Sequence, residues 1–369
     1  MKSTASLLTL ALCALSAVCG RESPEAAWRG RVETGDGIAT FSNPKDPLYG
    51  PGALRLEEDL TIGNEPGRPD RELGQPWYVA VNDSGEIFAM DQVNACVKVF
   101  SKAGESIRSI GRKGQGPGEL QNPNSISVTA DGRLFFEDFY RGLNVFDPDG
   151  TFREFISTSG FVDILVTSAG LIVARVNTVE GDRPGKQIQV FEGGTQREAG
   201  FAFRPDEPRD PQVIKPFAGR FCWTLVGDRA LAVSYDGRYD IEILSLEGAL
   251  LRRVRKDYDP VKITAEEIEI YQKRLRGRKM DVPPTHPALR GLWTDDEGRL
   301  VVMTYERTAD SDSAVYDVFD RDGRCLVKLP IPEAIRPQAW KGGRMYALAE
   351  DAEGNPRVRV FRLVWRDAH

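Results

Sequence analysis

The side chains that most often carry out catalysis are scarce in this sequence. Only two histidines occur among the 369 residues, His286 and His369, and the second of them is the final residue. A zinc site with three histidine ligands therefore cannot form within one chain, and a pair of catalytic histidines is not expected. A Ser-His-Asp triad would have to use His286, and no serine stands in the G-x-S-x-G pattern of a nucleophile elbow.

The cysteines form no recognisable redox or metal motif. Beyond the N-terminal segment only Cys96, Cys222 and Cys325 remain, far apart in sequence and odd in number. This spacing is not that of a disulfide framework or of a C-x-x-C metal site. Each of the three has apolar neighbours, and we expect all of them to be small buried hydrophobic residues.

Two carboxylates are placed where they could bind a metal ion. Asp91 and Asp138 each follow an apolar segment, at matching places in two similar stretches of sequence. Carboxylate oxygens are ligands that Ca²⁺ prefers, so a calcium site built on these two residues is one interpretation. The other interpretation is a structural hydrogen bond that recurs in successive repeats.

These residues are held by a repeated unit that runs through the chain. The unit consists of an apolar strand, a turn with Gly, a second apolar strand, a polar loop, a strand that commonly ends in Phe, a second Gly turn and a final strand. Such internal repetition predicts a β-propeller, because a four-stranded sheet cannot bury both of its faces alone and radial stacking covers them. We identify six copies, whose second strands lie at 87–90, 134–136, 171–174, 230–233, 300–303 and 345–348.

One stretch of the sequence resembles a known family. Residues 110–123 read IGRKGQGPGELQNP, followed by DGRLF at 131–135 and VFDPDG at 145–150. This pattern resembles an NHL repeat of the kind found in exported bacterial six-bladed propeller proteins. The resemblance is strong over 76–156 and extends more weakly over 27–366. The Gly-rich run lacks the G-x-x-x-x-G-K-[ST] pattern of a phosphate-binding loop, so we interpret it as a turn between two β units.

The sequence therefore predicts an all-β fold, a single six-bladed β-propeller over 20–369. The sixth unit lacks a last strand, and apolar residues at 54–56 and 60–62 are available to close that blade. One insertion, 257–287, is not β in character. Thr264 and Glu267 form a capping box there, which predicts a helix over about 264–278.

The longer connections all belong to one face of the predicted propeller. The turns between the first and second strands of a unit, and between its third and fourth strands, lie on one face and stay short. The connections between second and third strands, and those between units, lie on the other face and include the four insertions 176–186, 203–215, 257–287 and 306–313. Repeat proteins usually bind their ligands on the face that receives insertions. The candidate binding residues at this mouth are Arg112, Lys113, Asp138, Tyr140, Arg175, Tyr235 and Tyr305.

The N-terminus has the features of an export signal. Lys2 precedes an apolar stretch, 7–18, that is too short to remain as a membrane-spanning helix. Cys19 with its small neighbours resembles a bacterial lipoprotein cleavage site, and ordinary signal cleavage is the alternative. We expect residues 1–19 to be a signal peptide, and the mature protein to be periplasmic or lipid-anchored at Cys19 to an envelope membrane.

These features predict a non-catalytic recognition module without a cofactor. The ligand would be a small molecule, a peptide, a glycan or a protein, and we expect a monomer. The net charge is −6 and basic residues form no long run, so nucleic acid is not an expected partner. Propellers of the kind that the resemblance indicates include lactonases with a channel metal. The alternative is therefore a metal-dependent, lactonase-like hydrolase that uses Ca²⁺ at Asp91 and Asp138.

Overall fold

The computed structural model describes residues 28–64, 67–139, 141–158, 160–205, 212–235, 238–274 and 278–366. Three strands and a short 3-10 helix come before the first complete sheet: β1 (Arg31–Gly35), β2 (Ile38–Asn43), β3 (Leu54–Gly63) and the helix Pro69–Arg71. None of the helices within these ranges is long and apolar enough to cross a bilayer.

Six antiparallel sheets, the blades, follow in sequence order. Blade 1 contains β4 (Pro76–Val81), β5 (Ile87–Asp91), β6 (Cys96–Phe100) and β7 (Ser106–Ile110). Blade 2 contains β8 (Pro123–Val128), β9 (Leu134–Asp138), β10 (Gly142–Phe146) and β11 (Phe152–Ser157). Blade 3 contains β12 (Phe161–Val166), β13 (Ile172–Glu180), β14 (Arg183–Glu192) and β15 (Thr195–Arg197), and the short β16 (Arg204–Pro205) pairs with β14.

The second half of the ring carries the non-propeller elements. After β17 (Val213–Ile214), blade 4 contains β18 (Cys222–Val226), β19 (Ala230–Ser234), β20 (Asp240–Ser245) and β21 (Leu250–Lys256). The helix α1 (Ala265–Arg274) and β22 (Lys279–Met280) follow. Blade 5 contains β23 (Leu289–Thr294), β24 (Leu300–Arg307), β25 (Ser313–Phe319) and β26 (Cys325–Pro332). Blade 6 contains β27 (Arg336–Lys341), β28 (Arg344–Glu350) and β29 (Pro356–Trp365), and its fourth strand is β3.

The six-bladed architecture predicted from the repeats is confirmed. Second strands such as β5, β9 and β19 are buried along their whole length, as expected for strands covered by neighbouring blades on both faces. Gly85 and Gly132 have φ angles of 86° and 83°, which the tight turns after the first strands require.

The hydrophobic core is divided among the interfaces between blades. Each of six clusters of buried side chains joins two adjacent blades, and the cluster between blades 6 and 1 closes the ring. In that closing cluster Ile62 packs with Val79 and Tyr346. Because adjacent sheets bury each other's faces, no blade could retain this core alone.

The predicted closing strand is present, and the N-terminal segment does more than close the ring. Strand β3 runs antiparallel to β29, with Ile62 opposite Val358. Before it, β1 and β2 form a hairpin, and β2 pairs in parallel with β21, so that blade 4 becomes six-stranded. Between these two elements the backbone N–H groups of Leu48 and Tyr49 donate to carbonyls of blade 5. Residues 31–63, here called the N-terminal strap, therefore bind blades 4, 5 and 6 in turn.

The helix predicted in the 257–287 insertion is present as α1. The capping box is confirmed, because the Thr264 hydroxyl accepts from the Glu267 N–H at 3.2 Å and the Glu267 carboxylate accepts from the Thr264 N–H at 2.8 Å. The helix ends at Arg274, and residues 275–277 lie outside the described ranges. After them, β22 pairs in parallel with β17.

Candidate functional site

The two faces of the propeller differ in the length of their connections. First strands of adjacent blades contact each other at five of the six junctions, so these strands line the axis. Connections between second and third strands, and between blades, therefore leave from one face, and the four predicted insertions all lie there. On the opposite face the described turns between strands are tight, as at 82–86, 129–133 and 320–324. We call the first face the insertion-bearing face.

The insertions of blades 3 to 5 are joined to one another by backbone pairing. The hairpin β13–β14 extends to the pair Glu180–Arg183, and β16 pairs with its second strand at Gly185 and Lys186. Strand β17 runs parallel to β22, with Val213 opposite Lys279. The connections between blades 3 and 4 and between blades 4 and 5 thus form one layer over this part of the ring.

Aromatic contacts connect this layer to blade 5. The ring of Phe217 meets Tyr271 of α1 edge-on at 5.0 Å and His286 at 5.5 Å. His286 in turn stacks on Tyr305, with 4.2 Å between ring centroids. The buried His286 Nε2 lies 3.1 Å from the Glu267 carboxylate, which also caps α1. One histidine therefore links the helix, both insertions and the end of β24.

A second group of aromatic and cationic side chains surrounds the channel mouth. The guanidinium of Arg175 lies 4.8 Å from the Phe221 ring and 2.5 Å from the Asp163 carboxylate on β12. Phe221 is 5.4 Å from Tyr235, and the guanidinium of Arg204 covers the Tyr235 ring at 3.2 Å. Burial raises the pKa of Tyr235, and the charge of Arg204 opposes that rise.

Two further arginines extend this group towards blade 5. The guanidinium of Arg290, on β23, lies 5.2 Å from the Tyr305 ring. Burial raises the pKa of Tyr305, while Arg290 and Arg220 oppose the rise. Burial likewise raises the pKa of the Cys222 thiol to about 11, against the charges of Arg220 and Arg175. We call the whole set the mouth cluster, which consists of Arg175, Arg204, Arg220, Phe221, Tyr235, Arg290 and Tyr305.

The two aspartates of the calcium hypothesis act as hydrogen-bond acceptors for the backbone. Asp91 accepts from the N–H groups of Gly74 at 2.7 Å and Gln75 at 3.1 Å. Asp138 accepts from Asn122 N–H at 2.6 Å and from the preceding N–H in the equivalent turn of blade 2. Burial opposes ionisation of Asp91, but the hydrogen bonds from Gly74, Asn94 and Gln75 outweigh it and lower its pKa.

This arrangement matches the structural interpretation of both residues. In the described ranges, no group of three or more His, Cys, Asp or Glu side chains is placed to hold a metal ion. The oxygens of Asp91 and Asp138 already face N–H donors, which a bound cation would repel. The residues present therefore do not fit a calcium ion at this position, and the hydrolase alternative remains a prediction without an observation in its favour.

The predicted binding residues separate into distinct groups. Arg175, Tyr235 and Tyr305 come together in the mouth cluster. Arg112 and Lys113 lie on the connection between blades 1 and 2, where exposed Arg112 pairs with Glu119 at 2.9 Å. Asp138 is buried in its turn, and Tyr140 and Cys19 lie outside the described residues.

Several residues of this face escaped the sequence analysis. Arg204, Arg220 and Phe221 could have been suspected from the Arg and aromatic residues that stand at both ends of the connection between β15 and β18, whereas no sequence signal indicated Arg290. The hairpin β1–β2 was also missed, although Asp36-Gly37 is a hairpin-turn signal, with φ angles of 51° and 78°. A polar cavity of about 550 Å³ lies between this hairpin and the end of blade 4, and its lining includes Asn43, Tyr239 and Lys256.

Comparison with known proteins agrees with the architecture. The chain is a six-bladed β-propeller, and residues 69–159 match the model of the family DUF5128, described as a 6-bladed beta-propeller. A search of the curated proteins found no match.

Solved structures show the same fold at low sequence identity. A Bacteroides fragilis protein named as a predicted exported protein has 12% identity and a TM-score of 0.56, with 88% of this chain and 99% of that chain covered. A DUF4221 member from Bacteroides vulgatus has 8% identity and a TM-score of 0.55, with coverages of 85% and 99%. A gluconolactonase from Xanthomonas campestris has 14% identity, coverages of 84% and 97%, and a TM-score of 0.44, which carries no argument about function.

Proposed function

We propose that this protein is an extracytoplasmic, non-catalytic binding propeller that holds a ligand or a protein at its insertion-bearing face. The leader-like residues 1–19 support export, and so does the name of the Bacteroides fragilis protein with the same fold. Attachment to an envelope membrane through Cys19 belongs to the same proposal. The fold alone does not supply the binding role, because propellers carry out unrelated functions.

The joined insertion layer carries the proposal. Three separate connections are paired by backbone hydrogen bonds and aromatic contacts, so they present a preformed surface. A preformed surface loses little conformational entropy when it binds a partner. On the opposite face the described connections are short turns, as at 82–86 and 129–133.

The distribution of exposed apolar side chains also supports binding at the insertion-bearing face. Exposed large apolar residues are a mark of interaction surfaces when they occur together. Among the described residues, four of them lie on the outermost strands β1, β7, β11 and β21. The other five lie in connections or strand ends of the insertion-bearing face: Trp77, Val93, Phe139, Val179 and Ile270.

A face-specific cross-linking experiment tests the proposal. A photo-reactive amino acid would be placed in the full chain at Val179 or Ile270, and in control proteins at Ser84 or Lys102 on the opposite face. We expect one discrete cross-linked species in intact cells from the first pair and none from the second. Equal yields from both faces, or no adduct from either position of the first pair, would contradict the proposal.

Matched substitutions complete the test. Val179→Asp and Ile270→Asp place charges at 63% and 45% exposed positions, so folding should be little affected while capture of the cross-linked partner falls. Ile107→Asp, at a 45% exposed position of β7, is the control and should leave capture unchanged. Equal loss in both sets would locate the binding surface elsewhere.

A further inference from the structure

The mouth cluster has an excess of positive charge that its own carboxylates do not neutralise. Arg175 pairs with Asp163, and Arg290 pairs with Glu333 at 3.4 Å. Glu333 is also shared with Arg307, at 3.0 Å. Within the described parts of the chain, neither Arg204 nor Arg220 has a carboxylate within ion-pairing distance.

The four arginines come from three separate parts of the chain. Arg175 lies on β13, Arg204 and Arg220 lie on the connection between blades 3 and 4, and Arg290 lies on β23. The charges of Arg175 and Arg220 both act on Cys222, and those of Arg220 and Arg290 both act on Tyr305. Arg220 directly precedes Phe221, whose ring contacts Arg175 and Tyr235, next to the insertion-side end of β18.

Aromatic surfaces lie beside these charges. Phe221 stands next to Arg175 and within 6.1 Å of Trp223, and Tyr235 lies under Arg204. A guanidinium is a planar fork that binds a carboxylate in bidentate fashion, while an aromatic ring offers an apolar face. Such a pairing suits a ligand in which a negative group is attached to a ring.

We propose that the mouth cluster binds an anionic ligand, in which a ring-bound carboxylate contacts Arg220 and Arg204 and the ring packs on Phe221 or Tyr235. This inference rests on the proposed function and specifies its ligand class. Asp163 and Glu333 hold Arg175 and Arg290 in place. The guanidinium groups of Arg204 and Arg220, which pair with no carboxylate of the described residues, are left to meet the ligand. The ligand supplies the carboxylate, and it is either a small aromatic acid or an acidic saccharide.

The test uses two acids and their neutral counterparts as probes. Tetragalacturonate is compared with galactotetraose, and 1-naphthoate with 1-naphthalenemethanol, by calorimetry and by the fluorescence of Trp223 and the other tryptophans. We expect saturable binding of at least one acid, at least tenfold weaker binding of its neutral counterpart, and an affinity that falls as salt is added. Absence of saturable binding by both acids, or equal binding of acid and neutral probe, overturns the inference.

A charge-matched pair of variants locates the site. Arg204→Gln with Arg220→Gln should weaken acid binding at least tenfold. The control, Lys102→Gln with Arg321→Gln, removes the same charge from the opposite face and should leave the affinity within twofold. Equal losses in the two double variants would also overturn the inference. If no acid binds but cross-linking at Val179 and Ile270 succeeds, the binding role stands and only the ligand class is wrong.

Discussion

Asn43 is the residue at which the N-terminal strap is most firmly attached, and its replacement gives the sharpest prediction. Its side chain is buried at the end of β2 and makes four hydrogen bonds. The amide donates to the carbonyls of Arg255 at 3.0 Å and Gly323 at 2.8 Å. Its carbonyl oxygen accepts from Cys325 N–H at 2.7 Å and from the Trp28 indole at 3.0 Å. One side chain thus satisfies backbone groups of blades 4 and 5.

Asn43→Leu keeps the approximate volume of the side chain and removes every one of these hydrogen bonds. The bonds to Gly323 and Cys325 are fully buried, so their backbone partners would stay unsatisfied in the variant. A buried polar group left without a partner costs about 1–3 kcal/mol, and two of them cost about 2–6 kcal/mol. Domains of ordinary stability have only about 5–15 kcal/mol in total, so the loss should be easy to detect.

Two measurements separate local from global loss. Urea unfolding gives the change in the free energy of unfolding, and hydrogen exchange reports on residues 31–43 separately from blade 1. We expect faster exchange in the hairpin even if the rest of the ring stays folded. Ser42→Ala, at the adjacent position, is the control and should cost less than about 1 kcal/mol. An Asn43→Leu protein with unchanged unfolding and unchanged exchange would refute this account of the strap.

Two further predictions concern buried charges. Lys256 and Asp317 are both fully buried and lie 3.4 Å apart, so Lys256→Met should cost about 3–5 kcal/mol in urea unfolding, because it leaves Asp317 unpaired. The double variant Lys256→Met with Asp317→Asn removes both charges and keeps an acceptor for the buried Tyr239 hydroxyl, so it should recover most of that loss. A double variant as unstable as the single one would contradict the reasoning. The pKa of Asp91 is lowered on folding, so its ionised form stabilises the protein above the unfolded pKa of about 3.9, and this contribution is lost as the pH falls through the lower folded value. The stability difference between the wild type and Asp91→Asn should therefore be constant above about pH 5 and shrink below about pH 4, and a difference that grows on acidification would exclude the proposed hydrogen bonding.

The parts of the fold that could be predicted are those that local sequence determines. The second strands are apolar along their length and the turns carry Gly, as at Gly85 and Gly132, so blade number followed from the repeat. The closing strand at 54–63 could be predicted because the sixth repeat lacks a fourth strand of its own. Thr264 and Glu267 likewise fixed the start of α1, since a capping box acts within one turn.

The parts that were missed depend on pairing between distant segments. Strand β2 pairs with β21, more than two hundred residues later in the chain, and no local pattern records this partner. Strand β17 likewise pairs with β22, on a different insertion, and no local pattern indicates that pairing. Arg204 and Arg220 approach Tyr235 and Tyr305 only through the paths of the insertions. Sequence could therefore indicate the face, while the position of its charges needed the fold.

The N-terminal strap has a mechanical consequence for a chain held by its N-terminus. Tension arriving from that end would reach the β1–β2 hairpin first, then the contacts of Leu48 and Tyr49 with blade 5, and only afterwards β3. The closing strand β3 therefore bears load only after the hairpin and the contacts with blade 5 have separated. The ring of six blades would stay closed until that point.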